Sequence, residues 1–262
     1  MLDDQQLTDV LEAHLWSMWG PLGSCRGGKT TDMPARLLVE TPIPRPPYNT
    51  VLRFLDDGSP LDAQVDEVLA RYVDRPVTLA WIVHPSSPDG LGDLLAARGL
   101  EMAEELFGMA VDLTEIAEPL AFGPDVEVFE ASLAHAAEWM EMVGVRYELD
   151  PADSDLVRQL MEDQIDHARW FVARVDGVAV SKVVLHEHDG VAGIYGVATT
   201  EAGRGRGLAG GLTAHALGVA RESGMELGVL HSTPMAQSLY RSIGFRDVAT
   251  FEVWALPGSV QL

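Results

Sequence analysis

The stretch of this sequence with the clearest chemistry is a glycine-rich loop, EAGRGRGLAGG, at residues 201–211. Its glycines let the backbone turn sharply and bring N–H groups close to a ligand. Arg204 and Arg206 add positive charge in a chain whose formal net charge is −22. An apolar strand precedes the loop and an amphipathic helix follows it, so the positive end of the helix dipole adds to the attraction. The loop is predicted to bind an anion, and a plain glycine-rich turn is the alternative.

A second loop, GSCRGGKT at residues 23–30, matches the G-x-x-x-x-G-K-T pattern of phosphate-binding P-loops. That pattern binds phosphate only between a buried strand and a helix. The preceding segment contains Pro21 and is not β-branched, and Pro34 and the proline-rich residues 41–47 forbid a long helix afterwards. We therefore expect residues 23–30 to form a mobile surface loop, and we rank a P-loop NTPase last among the candidate functions.

Charge and composition exclude several classes of function. The 262 residues include 40 Asp and Glu against 18 Lys and Arg, which argues against a nucleic-acid partner. The acidic charge would favour a cationic small molecule, and simple solubility is an equally good explanation of it. A single cysteine, Cys25, allows no internal disulfide and fits a reducing compartment. The N-terminal segment does not resemble a signal peptide, and no run approaches the roughly 20 apolar residues of a membrane span. We expect a cytoplasmic protein without a membrane partner, either a monomer or a homodimer.

The elements that must position the glycine-rich loop follow from hydrophobic periodicity. From residue 126 onward the patterns predict a strand, two helices, three strands, the loop, a helix, a strand, a helix and a strand. Asp-Gly turns join the three consecutive strands into an antiparallel meander. Two prolines within residues 114–124 indicate a domain boundary. We predict two domains, residues 1–119 and 120–262.

The first domain contains a diverged copy of the second. Residues 77–113 follow the same order as residues 226–256: an apolar strand, His, a turn with Ser and Pro, a short helix, Gly and a final strand. A further strand and helix precede residues 77–113, as they precede residues 226–256. This repetition indicates a duplicated domain.

With these elements in place, the second half resembles the GNAT superfamily of acyl-CoA-dependent N-acyltransferases. The superfamily signature is Arg or Gln, two residues, Gly, one residue, and then Gly or Ala. It is matched by Arg204-Gly205-Arg206-Gly207-Leu208-Ala209. A second motif, Leu-Tyr followed by Gly-Phe, is matched at residues 239–245. The resemblance implies an α/β fold with two GNAT-like domains in tandem, each with a central mixed, mostly antiparallel sheet flanked by helices.

The resemblance also implies a coenzyme site. The pyrophosphate of acetyl-CoA would bind the loop N–H groups, and the pantetheine arm would pair with the strand that precedes the loop. That strand would part from the next one, residues 229–232, with the thioester in the gap and backbone N–H groups near its end stabilising the oxyanion. The residues implied to bind the coenzyme are Val197, Ala198, Thr199, Arg204, Gly205, Arg206, Gly207, Leu208, Ala209 and Ser232. Ser232 could instead only cap the following helix.

Acyl transfer by this route needs an acid and a base. Tyr240 is implied to protonate the departing thiolate, with a buried tyrosine in a core contact as the alternative. An ammonium acceptor with a pKa of about 10 must also lose a proton. The acidic residues 147–155, with Glu148 as the candidate base, could attract a cationic amine or relay its proton. The alternative is a solvated helix start that Asp153 caps.

The histidines give weaker evidence of a catalytic or metal-binding role. His186 and His188 flank Glu187 near a strand end, where an exposed hairpin tip is favoured over a catalytic base. We expect no metal site, because further ligands are not evident. His231 has a counterpart, His84, in the first half, which favours a structural role for both.

The first half is predicted to be a non-catalytic, degenerate copy. When the two copies of the repeat are aligned by counting from matched residues, Asp57 corresponds to Arg204 and Leu95 corresponds to Tyr240. Asp57 lies in the loop DDGSP at residues 56–60. The carboxylates of that loop would repel a pyrophosphate. We expect this half to pack on the second half, where it could wall the acceptor pocket.

The sequence therefore predicts an N-acyltransferase that moves an acetyl group from acetyl-CoA to a primary amine of a small molecule by direct attack. A non-catalytic module that binds or senses acyl-CoA is the alternative.

Overall fold

The computed structural model describes residues 2–72, 75, 77–116, 122–147, 151–164 and 167–257. The helices in these ranges are α1 (Asp4–Trp19), α2 (Leu61–Ala70), α3 (Leu91–Ala97), α4 (Ala136–Tyr147), α5 (Pro151–Gln164), α6 (Leu208–Glu222) and α7 (Gln237–Ile243). The strands are β1 (Lys29–Met33), β2 (Arg36–Glu40), β3 (Thr50–Phe54), β4 (Ala80–Val83), β5 (Glu101–Asp112), β6 (Val126–Glu130), β7 (Ala168–Val175), β8 (Val178–His188), β9 (Val191–Thr199), β10 (Leu227–Ser232) and β11 (Arg246–Ala255). None of the helices in these ranges combines the length with the apolar character that a membrane crossing requires.

The chain forms two compact units, and they are not the two contiguous halves expected from the sequence. One unit comprises Met1–Phe107 and Ala249–Leu262, and the other comprises Gly108–Val248. The end of β5 therefore belongs to the second unit and the end of β11 to the first, whereas the sequence suggested a division into residues 1–119 and 120–262. The alternation of apolar residues identifies β5 and β11 as strands, but it does not specify their neighbours in a sheet.

In the first unit the strands lie in the order β1-β2-β3-β4-β11. β3 and β4 run parallel, and the other neighbours are antiparallel. Phe54 of β3 packs edge-on against Trp81 of β4, with ring centroids 4.9 Å apart. Buried residues of α2 and α3 complete this core. β3, α2, β4 and α3 therefore follow one another as strand, helix, parallel strand and helix, which is the order that the predicted repeat requires.

Residues 23–30 do not have the geometry of a P-loop. A short 3₁₀ helix, Gly20–Ser24, precedes them, and β1 begins at Lys29, so the motif leads into a strand and not into a helix. The Thr30 hydroxyl donates to the carbonyl of Gly20 at 2.6 Å. Cys25 is buried, and its carbonyl accepts the Gly28 N–H at 2.8 Å. Ser24, Arg26, Gly27, Lys29 and Thr30 are exposed, so the segment lies at the surface as expected, in a hydrogen-bonded turn.

In the second unit the strand order is β5-β10-β9-β8-β7-β6. β9 and β10 are parallel, and the pairs from β9 to β6 are antiparallel, as the meander predicted. Phe171 of β7 contacts His215 of α6, whereas its neighbour Trp170 contacts Trp139 of α4. Because successive side chains of a strand point to opposite faces, α6 and α4 cover opposite faces of this sheet. The predicted mixed sheet flanked by helices is confirmed.

Candidate active site

The parallel strands β9 and β10 part at their carboxyl ends. Their pairing consists of Gly228↔Ala192, Val229↔Gly193 and Leu230↔Ile194. β9 nevertheless continues to Thr199, and β10 continues to Ser232. All residues of both strands are described, and within them the pairing does not extend past Leu230. The expected gap between these strands is therefore present.

β9 carries a bulge beside this gap. The register with β8 passes from Val184↔Tyr195 to Lys182↔Ala198, so Gly196 and Val197 lie together opposite a single residue. The φ angle of Gly196 is +56°, in the left-handed region that favours glycine. A bulge interrupts the ladder and redirects backbone groups. The peptide between Gly196 and Val197 therefore lies outside the regular hydrogen-bonded ladder of β8 and β9, at the edge of the gap.

The glycine-rich loop connects the end of β9 to the start of α6. After a 3₁₀ turn, Glu201–Gly203, the backbone is left-handed at Gly205 and again at Gly207, with φ angles of +74° and +71°. Within the described ranges, no heavy atom other than those of the adjacent residues lies within 4 Å of the position that a Cβ would take on either glycine. These two glycines are therefore required by backbone conformation and not by lack of space.

The start of α6 offers backbone donors to an anion. Gly207 is the N-cap residue, and no side chain caps the helix. The first helical hydrogen bond runs from the Gly211 N–H to the carbonyl of Gly207 at 2.9 Å. The N–H groups of Leu208, Ala209 and Gly210 precede it, and such groups have no partner within a helix. Such N–H groups, together with the helix dipole, are suited to binding an anion, and the anion site stays a prediction.

The two arginines of the loop differ in their surroundings. Arg206 forms an ion pair with Asp125, and the hydrogen bond from its guanidinium lowers the pKa of that carboxyl. The Arg204 side chain is exposed and makes no hydrogen bond or ion pair with the part of the chain that the structure describes. Arg204 is therefore the arginine that a bound anion can engage without breaking an existing contact.

Two further predicted residues lie beyond the loop. Tyr240 of α7 is buried, with its ring 6.0 Å from that of Phe245 in an edge contact. Ser232 is buried at the end of β10, and its hydroxyl donates to the carbonyl of Thr233 at 2.8 Å. α7 has Ala236 as its N-cap residue and no side-chain cap. The alternative in which Ser232 caps this helix is therefore wrong.

The acidic segment 147–155 is described only in part. Glu148 and Asp150 lie outside the described residues. α5 begins at Pro151, so Asp153 lies within its first turn and is not the cap that the sequence allowed. Asp153 is buried, whereas Asp155 is exposed and lies 3.5 Å from Arg158. The segment is therefore not uniformly solvated.

The histidines of the second unit lie with aromatic neighbours. His186 stacks on His188 at 6.2 Å, and Tyr195 lies between His186 and His231 with ring centroids 6.2 and 6.3 Å away. His186 is half-buried, which differs from the expected exposed tip, and burial lowers its pKa. Glu187 is exposed. Among the described residues, no group of three or more His, Cys, Asp and Glu has an arrangement that could hold a metal ion.

Sequence reasoning missed Lys182, which lies on β8 at the bulge. Its side chain is buried, and its Nζ donates to the carbonyl of Gly196 at 3.1 Å. The same Nζ lies 4.2 Å from the centroid of the Trp139 ring. A single lysine within the apolar run VAVSKVVLHEH was the available signal, because a buried lysine needs a compensating environment.

The first unit has a loop at the position predicted to correspond, and carboxylates of this loop accept two of its backbone N–H groups. Asp56 accepts the Gly58 N–H at 2.8 Å, and Asp57 accepts the Ser59 N–H at 3.0 Å. Asp57 also forms an ion pair with Arg36 at 3.0 Å. The carboxylates of this loop thus bind the kind of backbone donors that an anion would need.

The carboxyl ends of β3 and β4 also differ from those of β9 and β10. The Phe54 N–H, at the end of β3, donates to Nε2 of His84 at 3.3 Å. Nδ1 of His84 lies 2.9 Å from a carboxylate oxygen of Glu12, and both side chains are almost completely buried. Leu95 belongs to the hydrophobic core of this unit. An imidazole therefore occupies the end of the parallel pair in the first unit.

Comparison with known proteins finds similarity to acetyltransferases. Residues 133–245 match the model of the acetyltransferase (GNAT) family. The chain is 26% identical over 202 residues to mycothiol acetyltransferase of Beutenbergia cavernae, which covers 69% of this chain and 67% of the relative.

Solved structures share the fold over nearly the whole chain. A GCN5-related N-acetyltransferase from Kribbella flavida has a TM-score of 0.68 at 20% identity and covers 95% of this chain and 96% of its own. A tandem GNAT protein from the clavulanic acid biosynthesis pathway has a TM-score of 0.62 at 15% identity and covers 97% and 95%.

Proposed function

We propose that this chain transfers an acetyl group from acetyl-CoA to a primary amine of a small-molecule acceptor, since its residues 133–245 match the model of the acetyltransferase (GNAT) family. The observation that carries the proposal is the loop with available N–H groups at the start of α6, next to the gap between β9 and β10. The family supports acyl transfer from acetyl-CoA in general, and the amine acceptor is our more specific proposal. A small-molecule acceptor is favoured by the relative named mycothiol acetyltransferase.

The proposed coenzyme site uses backbone groups more than side chains. The pyrophosphate would bind the N–H groups from Gly205 to Ala209, with Arg204 as its cation. The pantetheine arm would pair with the backbone from Val197 to Thr199, in the position that β10 leaves open. The hydroxyl of Ser232 already donates its proton to Thr233, so towards the pantetheine it would act as an acceptor. Arg206 would support the loop through Asp125.

The proposed reaction is direct attack of the amine on the thioester. The Val197 N–H would hold the carbonyl oxygen as negative charge develops there. The nitrogen forms its bond to the carbonyl carbon while the bond from that carbon to sulfur breaks, and the Tyr240 phenol would give its proton to the sulfur. The proton lost by the acceptor nitrogen would pass to a carboxylate, for which Glu148, outside the described residues, remains the candidate.

We further propose that each chain holds one coenzyme, in the second unit. Two observations on the first unit support this. The Gly58 and Ser59 N–H groups of its loop are bound by Asp56 and Asp57, and its parallel strands end at the His84 imidazole. A pyrophosphate there would have to displace tethered carboxylates of its own charge sign, which is unfavourable. That this unit walls the acceptor pocket stays a prediction.

Calorimetry and a thiol-release assay test the proposal. We expect one acetyl-CoA bound per chain, and release of free CoA that at least one member of a primary-amine panel accelerates. Tyr240→Phe removes only the phenolic oxygen, so it should slow turnover while acetyl-CoA still binds. Tight binding without acceleration by any amine would favour the acyl-CoA-sensing alternative. Two coenzymes per chain would contradict the assignment of the first unit.

A further inference from the structure

We infer that Lys182 is a positioning residue for acyl transfer, and that it acts through the peptide group between Gly196 and Val197. The inference rests on the proposed function, because this peptide carries the N–H proposed to hold the thioester oxygen. Lys182 lies on β8 beside the bulge of β9, and its side chain is 7% exposed. Its Nζ donates a hydrogen bond of 3.1 Å to the carbonyl oxygen of Gly196.

A single peptide group connects the ammonium with the reacting atoms. The carbonyl of Gly196 and the N–H of Val197 belong to one planar trans unit, in which the two bonds point in opposite directions. With the carbonyl oxygen bonded to Lys182, the N–H points away from the ammonium. The gap flanks β9 on the side opposite to β8. The same geometry that satisfies the ammonium therefore turns the N–H away from it, and our inference requires that this N–H faces the gap.

The hydrogen bond from Lys182 also changes the strength of this donor. Hydrogen bonds in a chain polarise one another, so a peptide whose carbonyl accepts from a cation becomes a better donor at its N–H. Hydrogen bonds that involve a charged group are about twice as strong as neutral ones. The effect reaches the thioester through one peptide and does not require contact between Lys182 and the substrate.

The surroundings of Lys182 fix the position of its charge. Nζ lies 4.2 Å from the centroid of the Trp139 ring, where the face of an indole attracts a cation. Trp139 in turn packs on Trp170 of β7, with ring centroids 4.0 Å apart. Because the group is buried, solvent screens its field less than that of a surface lysine. A fixed charge of this kind stabilises the oxygen most when negative charge develops on it, which favours the transition state.

The test removes the charge and keeps the packing. Lys182→Met retains an unbranched side chain, and Lys182→Arg restores a cation. Val172→Ala is the matched control, because Val172 is buried on β7, pairs with Lys182 in the sheet, and loses packing without loss of charge. The full chain is saturated with acetyl-CoA labelled isotopically at the acetyl carbonyl. Difference infrared spectroscopy then measures the carbonyl stretch of the bound thioester, and no acceptor is needed.

We expect the carbonyl band to shift to lower frequency when acetyl-CoA binds the wild-type protein. The shift should be smaller in Lys182→Met, partly restored in Lys182→Arg, and unchanged in Val172→Ala. With an accepted amine, kcat of Lys182→Met should fall about ten- to a hundredfold, since loss of a whole oxyanion donor costs about a hundred- to a thousandfold. The KM for acetyl-CoA should change less than about threefold.

The outcomes separate this inference from the proposed function. If Lys182→Met and the wild-type protein show the same carbonyl shift and the same kcat, the inference is overturned and the proposed function stands. If Val172→Ala reduces the shift as much as Lys182→Met does, general loss of packing explains the effect and the inference is again overturned. If the wild-type protein does not bind acetyl-CoA, the proposed function fails and the inference fails with it.

Discussion

Gly207 offers the sharpest test of the coenzyme loop. Its φ angle is +71°, and no atom lies within 4 Å of the position of a Cβ. Gly207→Ala therefore introduces no clash, and its cost is the left-handed backbone alone, about 1–2 kcal/mol. If the loop leaves this conformation, the N–H groups that follow Gly207 turn away from the anion. At 1.4 kcal/mol per factor of ten, acetyl-CoA binding should then weaken about five- to thirtyfold.

Gly224 supplies the matched control at the other end of α6. Its φ angle is +91°, and a Cβ there would also meet nothing within 4 Å. Gly224→Ala should lower the free energy of unfolding by about the same 1–2 kcal/mol, but it should leave acetyl-CoA binding unchanged. Isothermal calorimetry with acetyl-CoA and urea unfolding measure the two quantities. Asn tolerates left-handed backbone better than Ala does, so Gly207→Asn should recover part of the affinity.

Two results would refute this reasoning. Wild-type affinity and wild-type stability in Gly207→Ala would mean that the left-handed conformation is not required. An equal loss of affinity in Gly224→Ala would mean that the binding defect reflects the stability of α6 and not the geometry of the loop.

Two further predictions concern the contrast between the units. Arg204→Ala should weaken acetyl-CoA binding about ten- to a hundredfold, because a charged hydrogen bond contributes about 1.5–3 kcal/mol. Asp57→Ala should leave the binding unchanged, and equal effects of the two substitutions in calorimetry would contradict the single-site assignment. Burial raises the pKa of Glu12, but hydrogen bonds from His84 and Ser86 outweigh it and lower the pKa below its usual value of 4.5. Its contribution to stability is therefore present above about pH 4.5 and is lost as the pH falls through the folded pKa. In Glu12→Gln, the free energy of unfolding should fall less steeply as the pH is lowered through this acid range. Urea unfolding at a series of pH values measures this dependence, and the same dependence as in the wild-type protein would contradict the role of the pair Glu12 and His84.

Much of the second unit was predictable because its elements have clear periods and clear ends. The segment predicted as a helix at residues 207–224 is α6, Leu208–Glu222, and the strand predicted at residues 226–232 is β10, Leu227–Ser232. Glycines bound both ends of α6, and they adopt the left-handed conformation there. Where a turn residue is needed for its φ angle, the sequence marks the boundary directly.

The N-terminal segment was harder to predict, for physical reasons. β1 has the sequence KTTDM and is exposed or half-buried at every position, so it presents no apolar face from which a strand could be recognised. The P-loop pattern overlaps the start of this strand. The pattern is misleading here because a short motif carries no information about the elements that flank it. The helix α1 was not predicted, although Asp3 and Gln6 form a capping box at its start.

The bulge at Gly196 shows a second limit of sequence reasoning. A glycine within an apolar strand suggests a bulge or a close approach, but the partner residues depend on register. Only the pairing with β8 reveals that Gly196 and Val197 share one opposite residue and that Lys182 reaches their peptide. The same limit applies to β5 and β11, whose strand character was predicted but whose division between the two units was not.

The two loops differ in the groups that meet their backbone donors. In the first unit, Asp56 and Asp57 accept the N–H groups of Gly58 and Ser59, and the first turn of α2 that follows has no side-chain cap. In the second unit, Leu208, Ala209 and Gly210 keep N–H groups that no helical bond uses, which lowers the stability of the empty loop. A ligand that binds only this folded form recovers that free energy and stabilises the second unit by mass action. We propose coenzyme binding in the second unit alone, because the tethered carboxylates of the first loop would repel an anion of their own charge sign.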